Sequence, residues 1–188
     1  EERIVRTIPA PMANLYAVEI TSDGGILVGG TAGIYLYDLA EKALVKDKRF
    51  TQGIVHDILE DSNHGVWIGS YGGGLNYLQK DALETILIST KGNSHGLTSD
   101  MVTSLFEDSH RRIWITTEGG GVYWAGLEDL ASGVFEFGNL NMENGMPSNV
   151  CSAVAEDRDG NIWISTSRGI TMIDGETTKV REILFGRG

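Results

Sequence analysis

The stretch Asn144-Gly145-Met146-Pro147-Ser148-Asn149, followed by residues 150–157, Ile162-Trp163-Ile164-Ser165-Thr166 and Gly169-Ile170, decides the fold because it recurs. A second copy runs from His95-Gly96-Leu97-Thr98-Ser99-Asp100 through residues 101–108 to Ile113-Trp114-Ile115-Thr116-Thr117 and Gly121-Val122. A third runs from residues 54–61 to Val66-Trp67-Ile68-Gly69-Ser70 and Gly74-Leu75. The faintest runs from residues 15–21 to Ile26-Leu27-Val28-Gly29-Gly30 and Gly33-Ile34. Leu27, Trp67, Trp114 and Trp163 are 40, 47 and 49 positions apart, whereas Asp61, Asp108 and Asp157 each lie six positions before their Trp. A fixed local offset inside a variable period describes a rigid unit joined by variable loops.

Each unit reads as four short strands. In the second copy these are residues 54–60, 66–69, 74–78 and 84–88. The first strand is apolar on both alternating faces, as a strand packed between neighbouring sheets would be, and Asp61-Ser62-Asn63-His64-Gly65 is a turn cluster. The same quartet is expected near 15–20, 26–29, 34–37 and 43–49 in the first copy. It is expected at 101–107, 113–116, 122–124 and 134–137 in the third, and at 150–156, 162–165, 170–173 and 180–185 in the fourth. Residues 3–8 read as an orphan outer strand, and 127–131 as a single helical turn within a loop. Four-stranded units of 40–50 residues are β-propeller blades. The fold expected is therefore all-β, with an outer strand of a preceding blade at 1–9 and blades at 12–50, 51–90, 95–138 and 144–185.

With 188 residues, 41% hydrophobic and 22% charged, the chain has the composition of a soluble globular protein. A formal net charge of −11 argues against nucleic acid or an anionic membrane as a partner. Cys151 is the sole cysteine, so no intrachain disulfide forms. No apolar run approaches the ~20 residues that span a bilayer. The chain starts at Glu1 and ends Phe185-Gly186-Arg187-Gly188, which we read as a piece of a longer protein.

Together these residues resemble the two-component regulator propeller repeat, the pattern N-G-[LM]-[PS]-S-N, then E-D-x-x-G-x-[IL]-W-I-[GS]-T and G-[IL]. The fourth copy carries nearly every element. The third has Arg112 in place of the turn Gly, and the second has Thr51-Gln52-Gly53 in place of the Gly-Leu-Pro-Ser loop. The first replaces Trp with Leu27 and the Glu-Asp pair with Ile20-Thr21. The resemblance implies a periplasmic ligand-sensing ectodomain of an inner-membrane hybrid two-component receptor of gut Bacteroidetes. Such receptors respond to breakdown products of complex polysaccharides and carry a cytoplasmic histidine kinase. It also implies a larger ring, commonly of seven blades, of which four are a part.

The aligned Trp residues are expected to pack blade against blade rather than to stack on sugars, and the aligned Asp residues to cap hairpin turns. Asp157-Arg158-Asp159-Gly160-Asn161 departs from a calcium loop, because its Gly comes early and position 12 is Arg168. His56, His64, His95 and His110 show no metal-ligand spacing. No metal, cofactor or catalytic group is expected.

In a propeller the loops entering the inner strand and those joining the second and third strands share one face around the hub. Here they carry Ser70, Tyr71, His95, Ser99, Asp100, Thr117, Glu118, Asn144, Ser148, Asn149 and Arg168. These are the candidate ligand-binding residues, and their hydroxyls, amides and mixed charges fit an oligosaccharide or other small polar ligand. The remaining partners expected are the rest of a parent receptor and a second copy, paired through propeller faces or blade edges. Two other classes stay open. One is an enzyme resembling streptogramin lyases, for which His95 and Glu118 are the only plausible pairing; the other is a protein-interaction scaffold.

Overall fold

The computed structural model describes residues 7–50, 53–88 and 96–184. Among the described residues, sixteen strands form four separate antiparallel sheets, each a meander in chain order. The first holds β1 (Leu15–Ile20), β2 (Ile26–Gly30), β3 (Gly33–Asp38) and β4 (Ala43–Lys46), and the second β5 (Ile54–Glu60), β6 (Val66–Tyr71), β7 (Gly74–Leu78) and β8 (Ile86–Ile88). The third holds β9 (Val102–Glu107), β10 (Arg112–Thr117), β11 (Gly121–Gly126) and β12 (Gly138–Leu140), with the short helix α1 (Leu127–Ala131) between the last two. The fourth holds β13 (Cys151–Glu156), β14 (Ile162–Thr166), β15 (Gly169–Ile173) and β16 (Val180–Leu184). Among the described residues, no strands from different copies interleave within a sheet. These are propeller blades.

Blades meet face to face through three apolar clusters, one per junction. Leu27 and Ile34 pack on Val55, Ile58 and Ile68; Trp67, Leu75 and Tyr77 on Val102, Leu105 and Ile113; Trp114 and Val122 on Cys151, Ile162 and Ile164. Trp67 and Trp114 are thus inter-blade packing, as expected, and both are fully buried. Two junctions require glycine at the point of closest approach. A Cβ at Gly29 would lie 2.4 Å from Val55 Cγ1, and one at Gly69 would lie 2.5 Å from Val102 Cγ1.

The inner strands pack in sequence, β1 on β5, β5 on β9 and β9 on β13, and so line the hub. The outward face of the first blade is open, with Val18 and Ile20 66% and 70% exposed. At the other end Trp163 is only half-buried, unlike its two counterparts.

Two expectations are corrected. The outer strand of the third blade lies at Gly138–Leu140 rather than 134–137. Phe135 turns inward to meet Tyr77 edge-on at 6.4 Å and joins the core beside Leu127 and Leu130 of α1. The strand then begins where the chain passes beneath the Trp124 ring, since a Cβ at Gly138 would sit 2.3 Å from that indole. The second concerns the turn Gly of the third copy. The left-handed turn position is occupied by Gly24, His64, Arg111 and Gly160, so Arg111 (φ 58°) is the departure from Gly. Arg112 instead lies in β10. The orphan strand expected at 3–8 falls largely outside the described residues.

Candidate functional site

Two end faces flank the hub, and the sequence motif builds both. On one face the second, third and fourth blades turn from first to second strand around the aligned aspartate. Asp61 accepts the amides of Asn63 and Gly65 and the indole N–H of Trp67 at 2.7 Å. Asp108 accepts those of His110 and Arg112 and the Trp114 indole at 2.7 Å. Asp157 repeats this with Asp159, Asn161 and Trp163 at 2.8 Å. The carboxylate therefore caps the turn and also holds the indole, which is buried at Trp67 and Trp114 and half-buried at Trp163.

The same bonds act differently in different blades. Burial pushes the Asp61 carboxyl above its ordinary 3.8, whereas the Trp163 indole and the turn amides hold Asp157 down to about 2. Carbon-detected titration should therefore find Asp157 titrating near 2 and Asp61 above 3.8; the reverse order would contradict the turn geometry. A depressed folded-state pKa means that Asp157 contributes fully above the unfolded value and loses that contribution as pH falls from 3.8 toward 2. For Asp61 the sign is opposite: its own titration favours the folded chain as pH falls through the raised value.

The glutamate preceding each aspartate ties blades together. Glu60, Glu107 and Glu156 accept the backbone amides of Ser22, Ser62 and Ser109 in the previous blade, at 2.6, 2.6 and 2.9 Å. Each also takes the hydroxyl of that serine.

The opposite face holds the predicted binding residues. Ser70, Ser99, Thr117 and Ser148 are buried, with their hydroxyls engaged in turns. Ser70 and Thr117 donate to the Gly74 and Gly121 carbonyls. Ser99 donates to the Glu118 carbonyl, and Ser148 pairs with Ser167. Asp100 and Asn149 present their carbonyls to Gly72 and Gly74, and to Gly119 and Gly121, of the preceding blade. The Asn149 side chain accepts the Met142 amide. Asn144 is exposed at the loop tip, bonded to Asn139 and Asn141. Arg168 is exposed, and His95 lies outside the described residues.

What remains accessible is a polar ladder that the alternation pattern does not reveal. Every inner strand has a register shift near its start, which leaves Tyr16, His56, Thr103 and Ser152 as the extra residues. A bulge re-aims the side chain it carries. Tyr16 stacks on His56 with ring centres 5.0 Å apart, and His56 meets Tyr71 at 5.5 Å. Tyr71 then donates its hydroxyl across the blade junction to Glu118 at 2.6 Å. Thr103 donates to the Cys151 carbonyl of the next blade. Tyr71 and Glu118 belong to the predicted set; Tyr16 and His56 do not.

The face offers hydrogen bonds and ring surfaces more than reactive groups. Burial pushes the Cys151 thiol up to about 12, so it stays protonated. Among the described residues, no three His, Cys, Asp or Glu side chains are grouped to hold a metal ion.

Residues 50–72, 96–119 and 145–168 match the two component regulator propeller family. Three of the four blades carry the two-component regulator propeller repeat. These repeats cover the turn aspartate, the Trp strand and the following turn of the second, third and fourth blades.

The repeat chain is similar to the extracellular domain of BT4673 of B. thetaiotaomicron, described as a hybrid two-component system. The two share 22% identity with a TM-score of 0.71, over 89% of this chain and 24% of that one. It is also similar to the extracellular domain of BT3049 from the same organism, with 21% identity and a TM-score of 0.72 over 90% and 22%. Virginiamycin B lyase of Staphylococcus aureus follows, with 13% identity and a TM-score of 0.65 over 94% and 57%. The chain thus spans about a quarter of the length of the two extracellular domains. At these identities the likeness is one of fold. No curated protein matches the chain by sequence.

Proposed function

We propose that the chain is a non-catalytic, ligand-sensing segment of the extracytoplasmic region of a hybrid two-component receptor. Its ligand is an oligosaccharide or another small polar molecule held at the hub mouth. The observation that carries this reading is the bulge ladder, which places Tyr16, His56, Tyr71 and Glu118 together on the face that the loop pattern singles out. Ring surfaces beside hydrogen-bonding groups provide stacking and orientation for a sugar. The repeat family and the extracellular domains that share this fold support the receptor context. In that context the chain lies on the periplasmic side of the inner membrane, and its four blades are part of a larger ring. Its partners are the remainder of the receptor and a second copy paired through faces or edges.

The Tyr71–Glu118 bond spans the junction between the second and third blades, so a ligand that engages either group changes how those blades are tied. A ligand shifts a conformational balance only by its differential affinity for the two arrangements, and this junction supplies a place for such a difference. Thermal unfolding against a panel of oligosaccharides tests the reading. A true ligand raises the midpoint without turnover, adding about 2.7 kcal/mol at a hundredfold excess over Kd, and Tyr16→Ala diminishes the rise. A panel without effect would count against sensing, and metal-dependent turnover of a small lactone would transfer the case to a lyase.

A further inference from the structure

The first blade departs from its siblings at two linked positions, and the departure leaves a cavity. In the second and third blades the middle strands pair Trp67 with Tyr77 and Trp114 with Trp124. Those rings stack 4.0 and 5.3 Å apart and help fill the junction with the next blade. In the first blade the same pairing joins Leu27 to Leu36. The turn aspartate that would hold an indole is also absent, with Thr21 in its place. Two large rings are therefore exchanged for two smaller side chains, together with the acceptor that serves one of them.

Where the rings would lie, an open groove of about 620 Å³ separates the first and second blades. Leu27, Leu36, Val66 and Leu78 form its apolar walls, and Asp23 and Glu60 stand among its lining residues. It lies on the end face of the turn aspartates, opposite the bulge ladder. The volume falls within the range of small-molecule sites.

We propose that this groove is a second binding site, and that it takes a planar aromatic ligand bearing a cationic or N–H donor group. The ring occupies the slot that an indole fills in the sibling blades, and the donor reaches the rim carboxylates. Charge favours a cation there. Arg49, which also lines the groove, is tied to Asp47 at 2.6 Å, while Lys80 is accompanied by Asp81. Asp23 already accepts bonds from Thr21 and Gly25, and Glu60, its side chain 13% exposed, accepts the Ser22 amide and hydroxyl with His64 3.5 Å away. An ionised carboxylate has about four acceptor positions, so the remaining capacity lies chiefly at Asp23.

Tryptamine is the probe, added to the whole ¹⁵N-labelled chain. Saturable shifts at the amides of residues 21–25 and 78–83 are expected, with indole-3-acetate binding at least tenfold more weakly. The double substitution Thr21→Asp with Leu27→Trp rebuilds the sibling pair inside the slot; it should reduce tryptamine affinity at least tenfold without lowering the unfolding midpoint. Unchanged affinity in the filled variant would overturn the proposal. So would shifts at Tyr16 and His56 in place of the groove, or no saturable shift at all. If the double variant misfolds, the mapping on the unaltered chain decides alone. Because the two sites lie on opposite faces, loss of one reading leaves the other standing.

Discussion

Asp108→Ala lowers the stability of the chain by about 3–5 kcal/mol, the cost of leaving a buried charge without its partner. Asp108 is 4% exposed and holds more than its turn. Besides the two amides and the Trp114 indole, it pairs with the guanidinium of Arg112 at 2.6 Å. That guanidinium is itself largely covered, with 14% of its side chain exposed. It keeps one bond to the Gly175 carbonyl of the next blade but loses its counter-charge. Asp108→Asn keeps an oxygen acceptor for the indole and should lose less. Asp61→Ala, which strands an indole and two amides but no cation, should cost about 1–3 kcal/mol. Chemical unfolding of the three variants gives the order directly, and a harmless Asp108→Ala would refute the dual role of the carboxylate.

Trp67→Ala should cost about 3–5 kcal/mol through the cavity it opens between the second and third blades. Trp67 is fully buried, stacked on Tyr77 and packed within the cluster that includes Val102 and Leu105. Trp163→Ala should cost markedly less in this chain, because its strand position is the same but its side chain is only half-buried. Comparing the two separates what the indole does inside its own sheet from what it does at a junction. Equal losses would mean that blade-to-blade burial is not the source of the stability.

Most of the fold was legible because one offset is the same in three of the four copies. A carboxylate six residues before a tryptophan is a chemical pair, so it survives while loop lengths drift. The outer strand of the third blade was not legible. Val134-Phe135-Glu136-Phe137 has the alternation of a strand, yet Phe135 is drawn into the core beside α1, and Gly138 is needed beneath Trp124. The glutamate links escaped notice for a different reason. Glu60, Glu107 and Glu156 look like solvated acids, and their serine partners lie a whole blade away in sequence.

The candidate site was legible as a face but not residue by residue. Small hydroxyl residues in a tight loop are read equally well as ligand contacts or as turn caps, and Ser70, Ser99, Thr117 and Ser148 have their hydroxyls engaged in the turns. Tyr16 and His56 were missed because a bulge inserts one residue without changing the apolar pattern around it. The signal was present as a polar or aromatic residue at the same place in every inner strand: Tyr16, His56, Thr103 and Ser152.

The claim that recognition occurs at the hub mouth is tested most directly by titrating the ¹⁵N-labelled chain with an oligosaccharide that raises its unfolding midpoint. The account predicts the largest shifts at Tyr16, His56, Tyr71 and Glu118, from three adjacent blades. Shifts confined to the outer strands β4, β8, β12 and β16 would contradict it.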